Sequence, residues 1–280
     1  MCVTCGCSDH ALDSDVHSHA HAHAHSHEHA HVHPHEHAHS HAHAHSHEHA
    51  HPPDPRRIRL EQDVLEKNNG LARENRRRLD ARGVLALNFV SAPGSGKTTL
   101  LERAIADLRG RTRFAVLEGD QATDRDAERI RRAGAHAVQI NTGTGCHLDA
   151  AMVEAGIVAL DPERGSVLAI ENVGNLVCPA LFDLGEHARI AVLSVTEGAD
   201  KPLKYPYLFR GSQVTVVNKA DLLPYVDFDL EEFRQALREV NPDATVFVVS
   251  AKTGAGLGEL YAWVERERAA LPHPVEEASA

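Results

Sequence analysis

The sequence predicts an α/β domain in which a mostly parallel sheet carries helices on both faces, preceded by a disordered, histidine-rich N-terminal tail. Three observations predict it. Strand-like apolar runs near 84–91, 113–118, 136–140, 166–171, 189–195, 213–217 and 244–249 alternate with helix-like segments, the pattern of a parallel sheet crossed over by helices. The first run leads into a turn of small residues that opens a helix. The chain before residue 56 has no apolar face to bury, so residues 1–55 form the tail and 56–280 the folded domain. The roughly 220 residues after the tail suffice for one core.

Composition narrows the function classes. The formal net charge of −11 and the lack of a basic stripe argue against a nucleic-acid partner. The short run Arg76-Arg77-Arg78 reads as a solvated helix face. No apolar segment reaches the ~18 residues of a membrane span, and the N-terminus lacks the pattern of a secretory signal, so the expected compartment is the cytoplasm with no membrane partner. Five cysteines in a reducing compartment suit ligands or core residues better than disulfides.

In the tail, Cys2, Cys5 and Cys7 form a C-x-x-C-x-C cluster whose Gly6 permits the turn needed to close three thiols on one soft or borderline metal ion. Histidine then occupies every odd position from His17 to His51, and the block HAHAHSHEHAH occurs at 21–31 and again at 41–51. An extended chain would point these rings to one side about 6 to 7 Å apart. Neutral imidazole binds Ni, Zn and Cu, so this tract reads as a store for several divalent ions, with a solubilising linker as the plainer reading. From Ile58 to Arg82 the chain reads as a helix with apolar residues at Leu60, Val64, Leu65, Leu71 and Leu79; Asn68-Asn69-Gly70 is a point at which it can divide. No chemistry is assigned to it.

The stretch Ser91-Ala92-Pro93-Gly94-Ser95-Gly96-Lys97-Thr98-Thr99 lies between a strand and a helix and matches G/A/S-x-x-x-x-G-K-T, the phosphate-binding loop of P-loop NTPases. Backbone N–H groups and a helix N-terminus there converge on polyphosphate oxygens. Gly94 and Gly96 allow close backbone approach, and Ser95 and Thr99 complete the loop. Lys97 reaches the outer phosphates and the Thr98 hydroxyl ligates Mg²⁺. Ligands of such sheets bind at the carboxyl ends of the strands. There, Asp120 is the favoured carboxylate for magnesium or for a water beside the γ-phosphate, whereas Asp124 and Asp126 equally suit a helix cap. Glu171, in Glu171-Asn172-Val173-Gly174, occupies the place of the acidic residue and glycine that sense magnesium and γ-phosphate. Asn218-Lys219-Ala220-Asp221 is N-K-x-D, and Ser250-Ala251-Lys252 ends the next strand as a second base-contacting loop. The Asp221 carboxylate accepts from a ring N–H and an exocyclic amine of guanine; adenine offers neither donor, which selects GTP over ATP. Arg125 and Gln121 are undecided candidates for assisting turnover.

Cys146, His147 and Cys178 make a second donor set near the nucleotide end of the sheet. Singly, Cys178 reads as a core thiol and His147 as a cap or surface residue. Together they offer three N/S donors, one short of a tetrahedron, which a second subunit could complete. Because Cys178 follows the segment that should move with γ-phosphate, nucleotide state could alter metal affinity.

Taken together, the chain resembles the HypB-type GTPases that assist nickel insertion into nickel-iron hydrogenase. The resemblance runs over the whole length, through the N-terminal C-x-x-C-G-C, the histidine tract, SAPGSGKTTL, EGDQATDRDAERI, NTGTGCHLDA, ENVGNLVCPA and VVNKADLLPY. It implies a dimerising, metal-dependent P-loop GTPase with GTP, Mg²⁺, Ni²⁺ and Zn²⁺ as its ligands. It also implies a nickel or zinc site at Cys146, His147 and Cys178 near the dimer interface, and a tight site at Cys2, Cys5 and Cys7. The implied partners are a second copy of the chain, other hydrogenase maturation factors and the hydrogenase large subunit. The urease accessory GTPases are similar but carry Cys-Pro-His where this chain reads Gly-Cys-His. A metal buffer with a vestigial nucleotide site is the rival from another class; intact Lys97, Thr98, Asn218 and Asp221 argue against it.

Overall fold

The computed structural model describes residues 55–120 and 125–271. Cys2, Cys5, Cys7, the tract from His17 to His51, and Gln121 and Asp124 lie outside the described residues. Among the described residues seven strands form one sheet: β1 (Leu85–Ser91), β2 (Phe114–Asp120), β3 (His136–Asn141), β4 (Val167–Glu171), β5 (Ala188–Ser194), β6 (Val214–Asn218) and β7 (Thr245–Val248). Their order is β3-β2-β4-β1-β5-β6-β7, and every neighbouring pair is parallel. Each expected strand is present within a residue or two of its expected bounds. Central strands of a parallel sheet are covered on both faces and therefore read as continuous apolar runs; β1, β4, β5 and β6 are buried at every position.

Alternation along β1 divides the core. Leu85, Leu87 and Phe89 face Leu101 and Ile105 of α2 (Lys97–Asp107), Ile130 of α3 (Arg125–Ala133), and Leu257 and Trp263 of α9 (Leu257–Ala270). On the opposite face, Leu117, Leu168 and Ile170 pack with Leu79 of α1 (Pro55–Asp80) and Val153 and Ile157 of α4 (Ala150–Leu160). Beside them Val90, Leu193 and Val217 pack with Phe209 of α7 (Pro206–Arg210) and Phe233 of α8 (Leu230–Val240). Two short helices, α5 (Cys178–Leu181) and α6 (Lys201–Lys204), lie in the loops leaving β4 and β5. No helix of the described residues is long and apolar enough to cross a membrane.

Helix α1 corrects two expectations. It runs unbroken through Asn68-Asn69-Gly70. Its buried seam is Leu65, Asn68, Ala72, Asn75 and Leu79, at alternating spacings of three and four that keep them on one face. The Asn68 side chain donates to Asp183 O at 2.7 Å and accepts from Ala150 N at 2.9 Å. Committed to those partners, it does not compete with the helix backbone. Arg76 is half-buried, with Nη2 2.8 Å from Asp183 Oδ1 and 2.9 Å from Glu186 O, so the arginine run is not a uniformly solvated face.

Candidate nucleotide and metal site

The turn after β1 sits at the sheet's centre, where β4 and β5 flank it. Gly94 and Gly96 adopt φ of 77° and 92°, and a Cβ on Gly96 would lie 2.7 Å from Asn218 Nδ2. Only glycine lets this loop approach the end of β6. Lys97 Nζ donates to Ser91 Oγ at 2.9 Å, so the serine in the motif's first position gives the ammonium a resting partner. Asn218 Nδ2 donates to Ser95 O at 3.0 Å and its Oδ1 accepts from Ala251 N at 3.1 Å. Lys219, left-handed at φ 62°, donates to Gly94 O at 2.7 Å. Ser250 Oγ donates to Asp221 Oδ1 at 2.6 Å. The phosphate-loop residues expected from sequence thus meet Asn218, Lys219, Asp221, Ser250, Ala251 and Lys252 at one rim of the sheet.

Two adjoining hollows open there. A cleft of about 600 Å³ is bordered by Lys97, Thr98, Glu118, Asp120 and Glu171. A smaller one of about 200 Å³ is bordered by Asn218, Asp221, Ala251 and Lys252. Both touch Gly96, Thr99 and Lys219. The first has room for a polyphosphate, with Lys97, Arg129 and Lys219 as cationic borders and carboxyls that suit an accompanying cation, and the second presents a carboxylate beside apolar walls, as a base requires.

Thr98 Oγ1 donates to Glu171 Oε1 at 2.7 Å. Strand register sets Glu171 opposite Glu118 of β2. Burial, the Glu171 charge and the hydrogen bond between the two carboxyls push Glu118 up to about 11, so it holds a proton. Burial raises Glu171 as well, opposed by Lys97 and by the hydrogen bonds from Glu118 and Thr98. Oε2 of each is buried without a hydrogen-bond partner. An unpaired carboxylate oxygen beside the Thr98 hydroxyl fits a hard, oxygen-seeking cation such as Mg²⁺.

Three residues at this rim escaped the sequence reading. Glu118 is the first: the favoured carboxylate was Asp120, yet an acid inside an otherwise apolar strand is a signal in its own right. Glu197, in the loop after β5, accepts through Oε1 from Ser95 Oγ at 2.7 Å and from Ser194 N at 2.9 Å. Arg129 borders the cleft, 3.2 Å from Thr99 Oγ1 and paired with Glu102 and Asp126; Arg125 is exposed and does not border it.

The second donor set assembles beside the exit of β4. Cys146 Sγ lies 2.9 Å from Cys178 Sγ and 3.7 Å from His147 Nδ1. One donor atom from each of the three residues falls within a 4.8 Å cluster, which suits an ion that prefers sulfur and imidazole. The His147 ring stacks on Phe182 with centroids 4.1 Å apart. Burial lowers its pKa, against the pull of Asp149, and so favours the neutral, ligating form. Helix α1 clamps both segments that carry these donors. Asn68 bonds Ala150 N and Asp183 O, and Asn75 Nδ2 reaches Ala150 O at 2.9 Å and Leu184 O at 3.1 Å.

The model for the CobW/HypB/UreG nucleotide-binding domain matches residues 85–248. The hydrogenase maturation factor HypB of Azotobacter vinelandii is 57% identical over 213 residues, covering 76% of this chain and 70% of that protein. The chain belongs to the HypB family. A crystal structure of HypB from Helicobacter pylori in complex with nickel shares the fold at TM-score 0.70 and 40% identity, over 72% of this chain and 95% of that one. HypB from Archaeoglobus fulgidus does so at TM-score 0.68 and 39% identity, over 73% and 100%. The chain is therefore a HypB-type maturation factor with a nucleotide-binding domain, and its partners belong to hydrogenase maturation.

Proposed function

We propose that the chain binds GTP with Mg²⁺, hydrolyses it to GDP and phosphate, and uses nucleotide state to govern its hold on nickel or zinc during nickel insertion into nickel-iron hydrogenase. The observation that carries this reading is the placement of Cys146, His147 and Cys178 beside the same exit from β4 that borders the phosphate cleft. In this reading the loop from Gly94 to Thr99 cradles the phosphates and Lys97 leaves Ser91 to reach the outer ones. Asn218 and Lys219 brace that loop, Asp221 selects guanine, and Ser250, Ala251 and Lys252 close over the base. Thr98 and Glu171 hold magnesium, which when bound offsets charge on the phosphate oxygens. Asp120 lies at the same cleft and orients the attacking water.

Cys2, Cys5 and Cys7 supply a tight metal site, the tract from His17 to His51 stores further ions, and residues 56–280 form the GTPase domain. A second copy of the chain supplies the donor that the triad lacks. Metal then passes, in the cytoplasm, through other maturation factors to the hydrogenase large subunit. The urease accessory reading is not favoured, since the relative from Azotobacter vinelandii, 57% identical, is a hydrogenase maturation factor. The test is GTP turnover by the full chain and by a form lacking residues 1–55, with nickel and zinc titrated into each in GDP and in a non-hydrolysable GTP analogue. Persistent turnover after truncation and nucleotide-dependent binding at the triad are expected. Absence of turnover in both forms would leave only a metal buffer.

A further inference from the structure

We propose that Asn172 is the positioning residue through which the phosphate cleft sets the geometry of the Cys146, His147 and Cys178 donors; this rests on the nucleotide-linked metal reading above. Asn172 follows Glu171 directly, borders the cleft, and is 1% exposed. Its backbone N–H donates to Phe89 O at 3.0 Å, which fixes it beside β1. The segment it opens runs tight against the phosphate loop, since a Cβ on Gly174 would meet Pro93 at 3.1 Å. In the nucleotide-linked reading, a γ-phosphate that shifts this segment acts on Asn172, its first residue.

The two ends of its side-chain amide serve two different arms. Oδ1 accepts from Leu148 N at 3.1 Å, the residue after His147, and from Val173 N at 3.0 Å. Nδ2 donates to Asn88 Oδ1 at 3.4 Å, and Asn88 Nδ2 donates to Glu186 Oε1 at 3.1 Å. Glu186 pairs with Arg189, whose guanidinium donates to Ala180 O at 2.9 Å and Phe182 O at 3.0 Å. Those carbonyls belong to α5 and its C-terminal flank. Cys178 begins that helix, and Phe182 is the ring stacked on His147. One arm thus ends at Leu148, next to His147, and the other at the element bearing Cys178.

Asn88, Asn172, Glu186 and Arg189 are all at most 9% exposed. Groups this buried are poorly served by bulk water, so a hydrogen bond broken along this chain is costly. A shift at Asn172 is therefore passed on to both arms rather than absorbed.

The test uses the full chain carrying Cys2→Ser, Cys5→Ser and Cys7→Ser. Of the five cysteines only Cys146 and Cys178 then remain, so thiolate-to-nickel charge-transfer absorption reports this site and not the histidine tract. Nickel is titrated at saturating GDP and at a saturating non-hydrolysable GTP analogue, which removes any change in nucleotide affinity from the comparison. The parent is expected to show at least about a fivefold difference in nickel affinity between the two states, the lower end of ordinary coupling. Asn172→Ala is expected to bring that ratio to within about twofold of unity. A side chain that merely supported the fold would weaken nickel binding equally in both states, and an unchanged ratio in Asn172→Ala overturns the proposal. If Asn172→Ala does not fold, Asn88→Ala decides, since it cuts the second arm and spares the bond to Leu148. The ratio should then fall at least about twofold, and an unchanged ratio overturns the proposal. A parent with equal affinity in both states overturns the nucleotide-linked reading itself, and this inference with it.

Discussion

Burial, and after it the Glu171 carboxyl that faces it across the sheet, push Glu118 toward its protonated form. A carboxyl whose folded pKa lies above its unfolded value of 4.5 leaves the folded chain binding more protons, so stability falls as pH rises from 4.5 toward about 11. Without nucleotide or magnesium, that loss is at most about 1.4 kcal/mol per pH unit for one group. Glu118→Gln keeps the shape and removes the titration, so its unfolding free energy should fall less steeply than the parent's between pH 6 and pH 9. Urea unfolding in chelator across that range checks this, and equal slopes would refute it. The sequence marked Asp120 because it closes the strand. Pairing Glu118 with Glu171 required the register between β2 and β4, two strands about 50 residues apart that no local pattern aligns.

At the scale of elements, α1 does more than cover the sheet. Asn75 is 1% exposed and holds the first residue of α4 and the turn before β5 together. Asn75→Ala leaves buried carbonyls short of a donor and should cost about 1 to 3 kcal/mol, read as a lower urea midpoint at unchanged slope. A shift well under that range would mean that water repairs the gap. Counting apolar residues along the helix could not find this role. Two of the five seam positions are asparagine, and their partners, from Ala150 to Leu184, lie some 75 to 115 residues away. The strands were legible for the opposite reason. Buried on both faces, the central strands β1, β4, β5 and β6 need no partner to be recognised.

For the molecule as a whole, the sheet order puts the phosphate-loop strand between the strands that lead to Glu171 and to Glu197. The residues proposed to contact the base follow at the end of β6 and after β7. Motifs near 91, 171 and 218 were legible because each is a strand end followed by a turn of restricted composition. Their common rim follows from the parallel topology alone. GTP at a hundredfold excess over its dissociation constant should stabilise the chain by about 2.7 kcal/mol, which moves Tm by roughly 5 to 10 °C for a domain of this size. ATP at the same concentration should move it less, and Asp221→Asn should erase the difference. A thermal melt with each nucleotide checks both.

All of these groups crowd one end of the sheet. Gly165 N bonds Arg82 O in the turn before β4, and the neighbouring Arg164 is exposed. Across strands of five to seven residues, that turn stands about 20 Å from the working rim. A molecule anchored to glass through position 164 would face its open cleft to the solution, and the hand-over of a single ion could be timed one protein at a time.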